Sequence, residues 1–277
     1  MSLIRSLLLL TRFWNLLIIG LAQYSTVAFL ISLDKIFDIH LFFLVISTVL
    51  IAAGGYIIND YYDVKIDLIN KPERVVIGKG ITRRYALLFH SLLSISGVAI
   101  GLLLDWRIGV LNFFSAFFLW LYSNALKRLP FIGNFTVALL TGLSIFIVNL
   151  LYPPVHILVT TYSFFAFFIT LVREIIKDLE DLRGDDTFGC KTLPIVWGIR
   201  RTKVFTYFLM ISFVSLVLSL HHLVMQLPMQ FFLWTLFMPM LILAGWLVRA
   251  DTRRDFYQLS QFCKLIMVAG ILSMGFL

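Results

Sequence analysis

Two short acidic stretches hold the residue types and spacing that could do chemistry in this chain. One reads Asn59-Asp60-Tyr61-Tyr62-Asp63-Val64-Lys65-Ile66-Asp67, the other Asp178-Leu179-Glu180-Asp181-Leu182-Arg183-Gly184-Asp185. Each sets aspartates at i, i+3 and i+7, which is one face of a helix. Carboxylates crowded on one face repel each other, so the arrangement asks for a cation. Magnesium is the hard, oxygen-seeking ion that joins a few carboxylates to phosphate oxygens.

Basic side chains accompany the acids: Arg74, Lys127, Arg128, Arg173 and Lys177. Carboxylates plus cations suit a polyanion that brings its own metal, and a diphosphate is such a ligand. The neighbouring apolar runs are rich in Phe and Leu, suited to a hydrocarbon tail. An isoprenoid diphosphate has both ends. Stabilising its departing pyrophosphate leaves an allylic cation for a nucleophile to capture, and aromatic faces stabilise such a cation.

The elements that must position these groups are membrane helices. Of 277 residues, 60% are hydrophobic and only 14% charged, against about 25% charged in ordinary globular proteins. Nine apolar runs approach spanning length: Phe13–Leu33, Leu41–Ile58, Tyr85–Leu104, Ile108–Tyr122, Phe131–Leu151, Val155–Val172, Val204–Val224, Phe231–Val248 and Cys263–Leu277. The short alternating segments of a β-barrel are missing. The expected fold is therefore all-α, nine transmembrane helices around a central cavity, with residues 1–277 as one domain. Short cap helices are expected in the polar segments 59–84 and 173–203, with breaks at Pro72 and Pro194.

Charge distribution sets the topology. With the N-terminus inside, every Lys and Arg except Lys35 and Arg107 falls in a cytoplasmic segment, as the positive-inside rule demands. Both acidic stretches then lie on the cytoplasmic side, at the ends of spans two and six, where they are expected to face one cavity. The net charge of +8 is thereby assigned to topology, with no nucleic-acid partner expected. Arg5 and Arg12 interrupt the first apolar run, so the N-terminal segment reads as an interfacial helix rather than a cleavable signal. The absence of a targeting sequence suits a prokaryotic plasma membrane.

The corresponding aspartates are all 118 residues apart, which hints at a pseudo-repeat of helical hairpins. A merely solvated helix end has no reason to repeat a spacing. The EF-hand loop pattern is absent. His221 and His222 lack a third ligand, and Cys190 and Cys263 lack metal-ligand spacing, so these read as structural.

The chain resembles the UbiA-type intramembrane prenyltransferases across nearly its whole length. Asn59, Asp60, Asp63 and Asp67 match that family's Asn-Asp-x-x-Asp-x-x-x-Asp signature, and Asp178, Asp181 and Asp185 its Asp-x-x-Asp-x-x-x-Asp signature. The resemblance implies magnesium dependence and prenyl transfer from a diphosphate. It makes those seven residues the expected metal shell, with Asp63, Asp67, Asp181 and Asp185 central to catalysis. It also makes Arg74, Lys127, Arg173 and Lys177 the expected diphosphate contacts.

Arg173-Glu174-Ile175-Ile176-Lys177-Asp178, Lys191-Thr192-Leu193-Pro194, Leu126-Lys127-Arg128, Gly133-Asn134 and Ala138–Gly142 are similar to the subgroup that geranylgeranylates geranylgeranylglyceryl phosphate. That implies a prenylglycerol phosphate acceptor and an ether-lipid product. Two departures stand out. Asn70-Lys71-Pro72-Glu73-Arg74-Val75 replaces the usual Asn-Arg-Pro-x-Arg-Pro, and Ser123-Asn124-Ala125 replaces a bulkier, more basic stretch. An aromatic acceptor of quinone biosynthesis, 4-hydroxybenzoate or dihydroxynaphthoate, is the alternative. A cation or metabolite transporter is the non-enzyme alternative, disfavoured because transporter acids sit near the bilayer midplane.

Overall fold

The computed structural model describes residues 3–70, 72–220 and 236–276. Its helices are α1 (Leu3–Leu10), α2 (Phe13–Leu30), α3 (Ile39–Asn70), α4 (Arg83–Leu104), α5 (Trp106–Asn124), α6 (Ile132–Phe146), α7 (Val148–Leu151), α8 (Ile157–Thr187), α9 (Leu193–Leu220), α10 (Met238–Arg249) and α11 (Arg253–Ser273). No strand occurs among the described residues, only an isolated bridge between Ile77 and Ile81. The fold is all-α, as a chain that must satisfy its backbone inside lipid requires.

Seven of the described helical segments are long and apolar enough to cross a membrane: Phe13–Leu30, Ile39–Ile69, Arg83–Leu104, Ile132–Leu151, Ile157–Thr187, Leu193–Ser219 and Arg253–Phe276. Nine were expected. The expected fourth falls on α5, a helix of 19 residues whose Arg107, Asn112, Asn124 and tryptophans dilute its hydropathy. The expected eighth begins at Phe231, outside the described residues, and its remainder forms the shorter helix α10. The expected ninth starts earlier, at Arg253, because Thr252 and Asp255 form a reciprocal capping box there.

The chain divides into two compact units, residues 1–127 with 143–160, and residues 128–142 with 161–277. In the first, α3, α4 and α5 pack on one another and α2 packs on α3. Close approach is set by Gly97 of α4: an added Cβ would lie 2.8 Å from the Ser47 carbonyl oxygen of α3. The buried Asn112 of α5 donates to Ser47 Oγ and to the Gly97 carbonyl, both at 3.2 Å. Small residues with interhelical hydrogen bonds are the standard means of helix association in lipid. Gln23 of α2 similarly donates to Thr48 Oγ1 at 3.0 Å and to the Ser144 carbonyl at 2.7 Å.

At the end of α3 a separate apolar cluster joins Leu10 of α1 to Ile57, Val76, Ile77, Ile81 and Ala86. The expected interfacial segment is thus a helix seated on α3 and on the loop after it. In that loop the expected break at Pro72 opens a short 3₁₀ turn, Pro72–Arg74.

The second unit is built around α8. Its Ile169, Val172, Ile175, Ile176 and Leu179 pack with Phe213 of α9, Leu243 and Leu247 of α10 and Leu259 and Cys263 of α11. The expected cap after α8 is the first turn of α9, which holds Pro194 and breaks at Gly198 (φ 78°, ψ 161°), a conformation that favours glycine.

The aspartate offset recurs in two helix starts. Helix α3 starts at Ile39 and α8 at Ile157, the same offset of 157 − 39 = 118 that separates the aspartates. Among the described residues two non-glycine positions have positive φ, Arg12 (52°) and Phe131 (66°). They immediately precede α2 and α6.

Candidate active site

The first signature occupies the last turns of the 32-residue α3, and the second the last turns of the 31-residue α8. Both helices run on past their apolar stretches without interruption, so the acids stand on continuous helix. Asn59, Asp60, Asp63 and Asp67 are all partly buried, as are Asp178, Asp181 and Asp185.

In the first unit the carboxylates have cationic company. The Arg12 guanidinium donates to Asp60 Oδ1 at 3.0 Å and lies over the Tyr56 ring, 5.0 Å from its centroid. Lys127, from the turn after α5, donates its ammonium to Asp63. That pair is nearly closed to solvent, with side chains 9% and 15% exposed. Asn59 Oδ1 is buried and makes no hydrogen bond. Arg83 donates to the Tyr61 carbonyl at 3.2 Å and covers the Tyr61 ring, while Tyr61 also packs against the cluster that holds Leu10. The side chain of Arg74 lies outside the described residues, as do His221 and His222.

In the second unit Asn134, on the first turn of α6, donates to Asp178 Oδ2 at 2.9 Å. The expected phosphate cations Arg173 and Lys177 both pair with Glu174, Lys177 at 3.2 Å. Glu174 is buried. It stands four residues before Asp178 on the same face, so the acidic row extends one turn deeper than the signature. Glu180 faces elsewhere and accepts from Ser260 Oγ at 3.2 Å. Arg128 is exposed, and its carbonyl accepts from the Lys191 N–H at 2.8 Å.

Arg12, Asn134 and Glu174 were not legible as site residues. An arginine near the N-terminus reads as a topology signal and an asparagine on an apolar helix as packing. Asn134 and Glu174 did fall in stretches similar to the subgroup, and Glu174 stands four residues before Asp178.

The donor set suits a hard dication, being all oxygen and including the buried, unbonded Asn59 Oδ1. Among the described residues no three His, Cys, Asp or Glu side chains converge into a ready metal site. Magnesium takes one or two protein carboxylates and completes its octahedron with water and substrate phosphate.

Residues 21–264 match the UbiA prenyltransferase family. A digeranylgeranylglyceryl phosphate synthase of Saccharolobus solfataricus is 32% identical over 98% of this chain and 95% of that protein. The synthase of Methanobrevibacter smithii is 37% identical, but the aligned stretch covers 65% of this chain and 66% of that protein, just under two thirds of its length. Among solved structures, one described as digeranylgeranylglyceryl phosphate synthase in membranes superposes with a TM-score of 0.76 at 26% identity, covering 100% of this chain and 98% of that one. A UbiA homologue from Archaeoglobus fulgidus bound to DMAPP and Mg2+ shares the fold, with a TM-score of 0.66 at 16% identity over 98% and 100% of the two chains. The chain belongs to the UbiA prenyltransferase family and is an integral-membrane prenyltransferase.

Proposed function

We propose that the chain transfers a geranylgeranyl group from its diphosphate to geranylgeranylglyceryl phosphate, forming an ether lipid, with both aspartate signatures acting on one magnesium–diphosphate. The observation that carries this reading is the duplicated spacing on two helices that begin 118 residues apart, each ending in partly buried carboxylates. The activity for which those relatives are named supports the acceptor. The neighbour holding DMAPP and Mg2+ supports the donor class and the metal.

Asn59, Asp60, Asp63 and Asp67 would hold metal from the first helix, and Asp178, Asp181 and Asp185 from the second. Magnesium, when bound, would neutralise the diphosphate and stabilise it as a leaving group. Lys127 is the cation best placed among the described residues to add to that stabilisation, since it already lies within reach of Asp63 and is shielded from water. Arg173 and Lys177 are held beside the second signature by Glu174, where they would contact phosphate oxygens. Arg74 completes the proposed set. The prenyl C1–O bond breaks and pyrophosphate leaves with the bonding pair. The acceptor hydroxyl oxygen bonds the allylic C1 and gives up its proton to the released pyrophosphate or to water. The positive-inside distribution supports a cytoplasmic N-terminus, and with it cytoplasmic placement of both signatures.

The test supplies purified protein and Mg2+ with labelled geranylgeranyl diphosphate and, in turn, geranylgeranylglyceryl phosphate, 4-hydroxybenzoate and dihydroxynaphthoate. Labelled ether lipid from the first acceptor is expected. Product from an aromatic acid alone overturns the acceptor, and no pyrophosphate release with any acceptor overturns the activity.

A further inference from the structure

The first aspartate of each signature is held by a side chain from the start of the corresponding earlier helix. Asp60 is held by Arg12, immediately before α2. Its counterpart Asp178 is held by Asn134, on the first turn of α6. Helices α2 and α6 start 132 − 13 = 119 residues apart, within one residue of the aspartate offset. The two non-glycine residues of positive φ among the described residues, Arg12 and Phe131, sit at those same starts.

A left-handed conformation is uncommon for arginine or phenylalanine and persists only where the surroundings enforce it. Here it stands at the helix start in both halves, and in both a donor near that start reaches the first aspartate of the signature in its own half. The equivalence is one of place rather than register: alignment of the two turns sets Asn134 against Asn15, yet the contact in the first half comes from Arg12.

We propose that Arg12 and Asn134 are equivalent positioning residues, each fixing the first aspartate of its signature so that the carboxylate row is set for metal and diphosphate. This rests on the reading of the signatures as a magnesium–diphosphate site. Each donor occupies one oxygen of its aspartate, Oδ1 of Asp60 and Oδ2 of Asp178, which fixes the direction of the other. The restraint is strong in the first half, because the Arg12 guanidinium is itself held over Tyr56 and the preceding α1 is anchored through the fully buried Leu10. In the second half the amide of Asn134 is buried against α8. Partners that orient metal ligands are worth about 10- to 100-fold in metal affinity or activity.

The experiment is a calorimetric titration of Mg2+ into purified protein in the presence of inorganic pyrophosphate, which needs no turnover. Arg12→Gln and Asn134→Ala are each expected to raise the half-saturating Mg2+ about tenfold or more, with Arg12→Lys and Asn134→Gln recovering part of the loss. In an Asp60→Asn background, Arg12→Gln should shift the midpoint no further. Helical circular dichroism of each variant is read alongside. Midpoints equal to wild type in folded Arg12→Gln and Asn134→Ala, a tighter midpoint in Arg12→Gln, or full additivity with Asp60→Asn overturns the positioning role alone. Failure of the wild-type protein to bind Mg2+ with pyrophosphate overturns the underlying reading and this role with it.

Discussion

The ammonium of Lys127 is paired with Asp63, which lies 64 residues earlier in the chain, and both side chains are almost closed to water. A buried ion pair is weak evidence of stability by itself, and the proposed function makes Lys127 a cation held for the diphosphate. Lys127→Met should lower the rate of prenyl transfer about 10²- to 10³-fold, the usual cost of losing one preorganised electrostatic group. Single-turnover rates with labelled donor measure this. A rate within threefold of wild type would exclude Lys127 from the reaction.

Metal removal should act on the reaction rather than on the fold. Chelation by EDTA is expected to stop pyrophosphate release while leaving the helical circular dichroism unchanged, because the described carboxylates already have protein partners such as Arg12, Lys127 and Asn134. Added Mg2+ should restore the rate. Full activity in chelator would remove the metal from the account.

Glu174 binds two cations, Arg173 and Lys177, from a buried position. Glu174→Ala leaves them without that partner and should destabilise the protein by about 3 kcal/mol, near the low end for breaking a buried pair from one side. Denaturant titration in mixed micelles reads this directly. Lys177→Met, which leaves the Arg173–Glu174 pair intact, should cost less.

The junction of α3, α4 and α5 gives a packing prediction. Gly97→Ala puts a methyl group 2.8 Å from the Ser47 carbonyl oxygen and disturbs the hydrogen bonds of Asn112. Overpacking of this kind costs about 1–3 kcal/mol. Gly245, with nothing within 4 Å of an added Cβ, is the control, and Gly245→Ala should leave the midpoint unchanged or slightly raised.

Acid sensitivity should appear at the other end of α3. Burial works against the Asp38 charge, but hydrogen bonds from Tyr152 Oη at 2.7 Å and from His40 hold its carboxyl below the usual range. A depressed carboxylate stabilises the fold above its unfolded pKa of about 3.9. That contribution is lost as pH falls through the lower, folded value. Tyr152→Phe removes one of those donors, so less of this stabilisation remains to be lost on acidification. Thermal midpoints across pH 3–7 should differ most at neutral pH and converge toward pH 3. A difference constant across that range contradicts the coupling.

Much of this was legible in the residues. The aspartates are offset by 118 residues in sequence, and the starts of α3 and α8 share that offset. The apolar runs located most helices because every backbone group in lipid must bond within its own helix. Alternation of apolar and polar residues has little meaning where the solvent is itself apolar, so helix ends were harder to read. The start of α11 followed from the Thr252–Asp255 capping box, a local signal inside a charged stretch that looked like loop. What stayed hidden was tertiary: that Arg12 reaches Asp60 across 48 residues, and that Asn134 reaches Asp178 across 44. Nothing in their local sequence names the partner. The left-handed turns at Arg12 and Phe131 were equally silent, since neither position carries the glycine that usually signals one.

The central claim is that two aspartate sets, one from each half of the chain, serve a single diphosphate. The most direct measurement is calorimetric binding of an unreactive geranylgeranyl diphosphate analogue, with Mg2+, to wild type, Asp63→Asn, Asp181→Asn and the double variant. One equivalent per chain is expected, lost alike in either single variant, with the double variant no worse than the weaker single. Two equivalents per chain, or binding that survives Asp181→Asn undiminished, would contradict it.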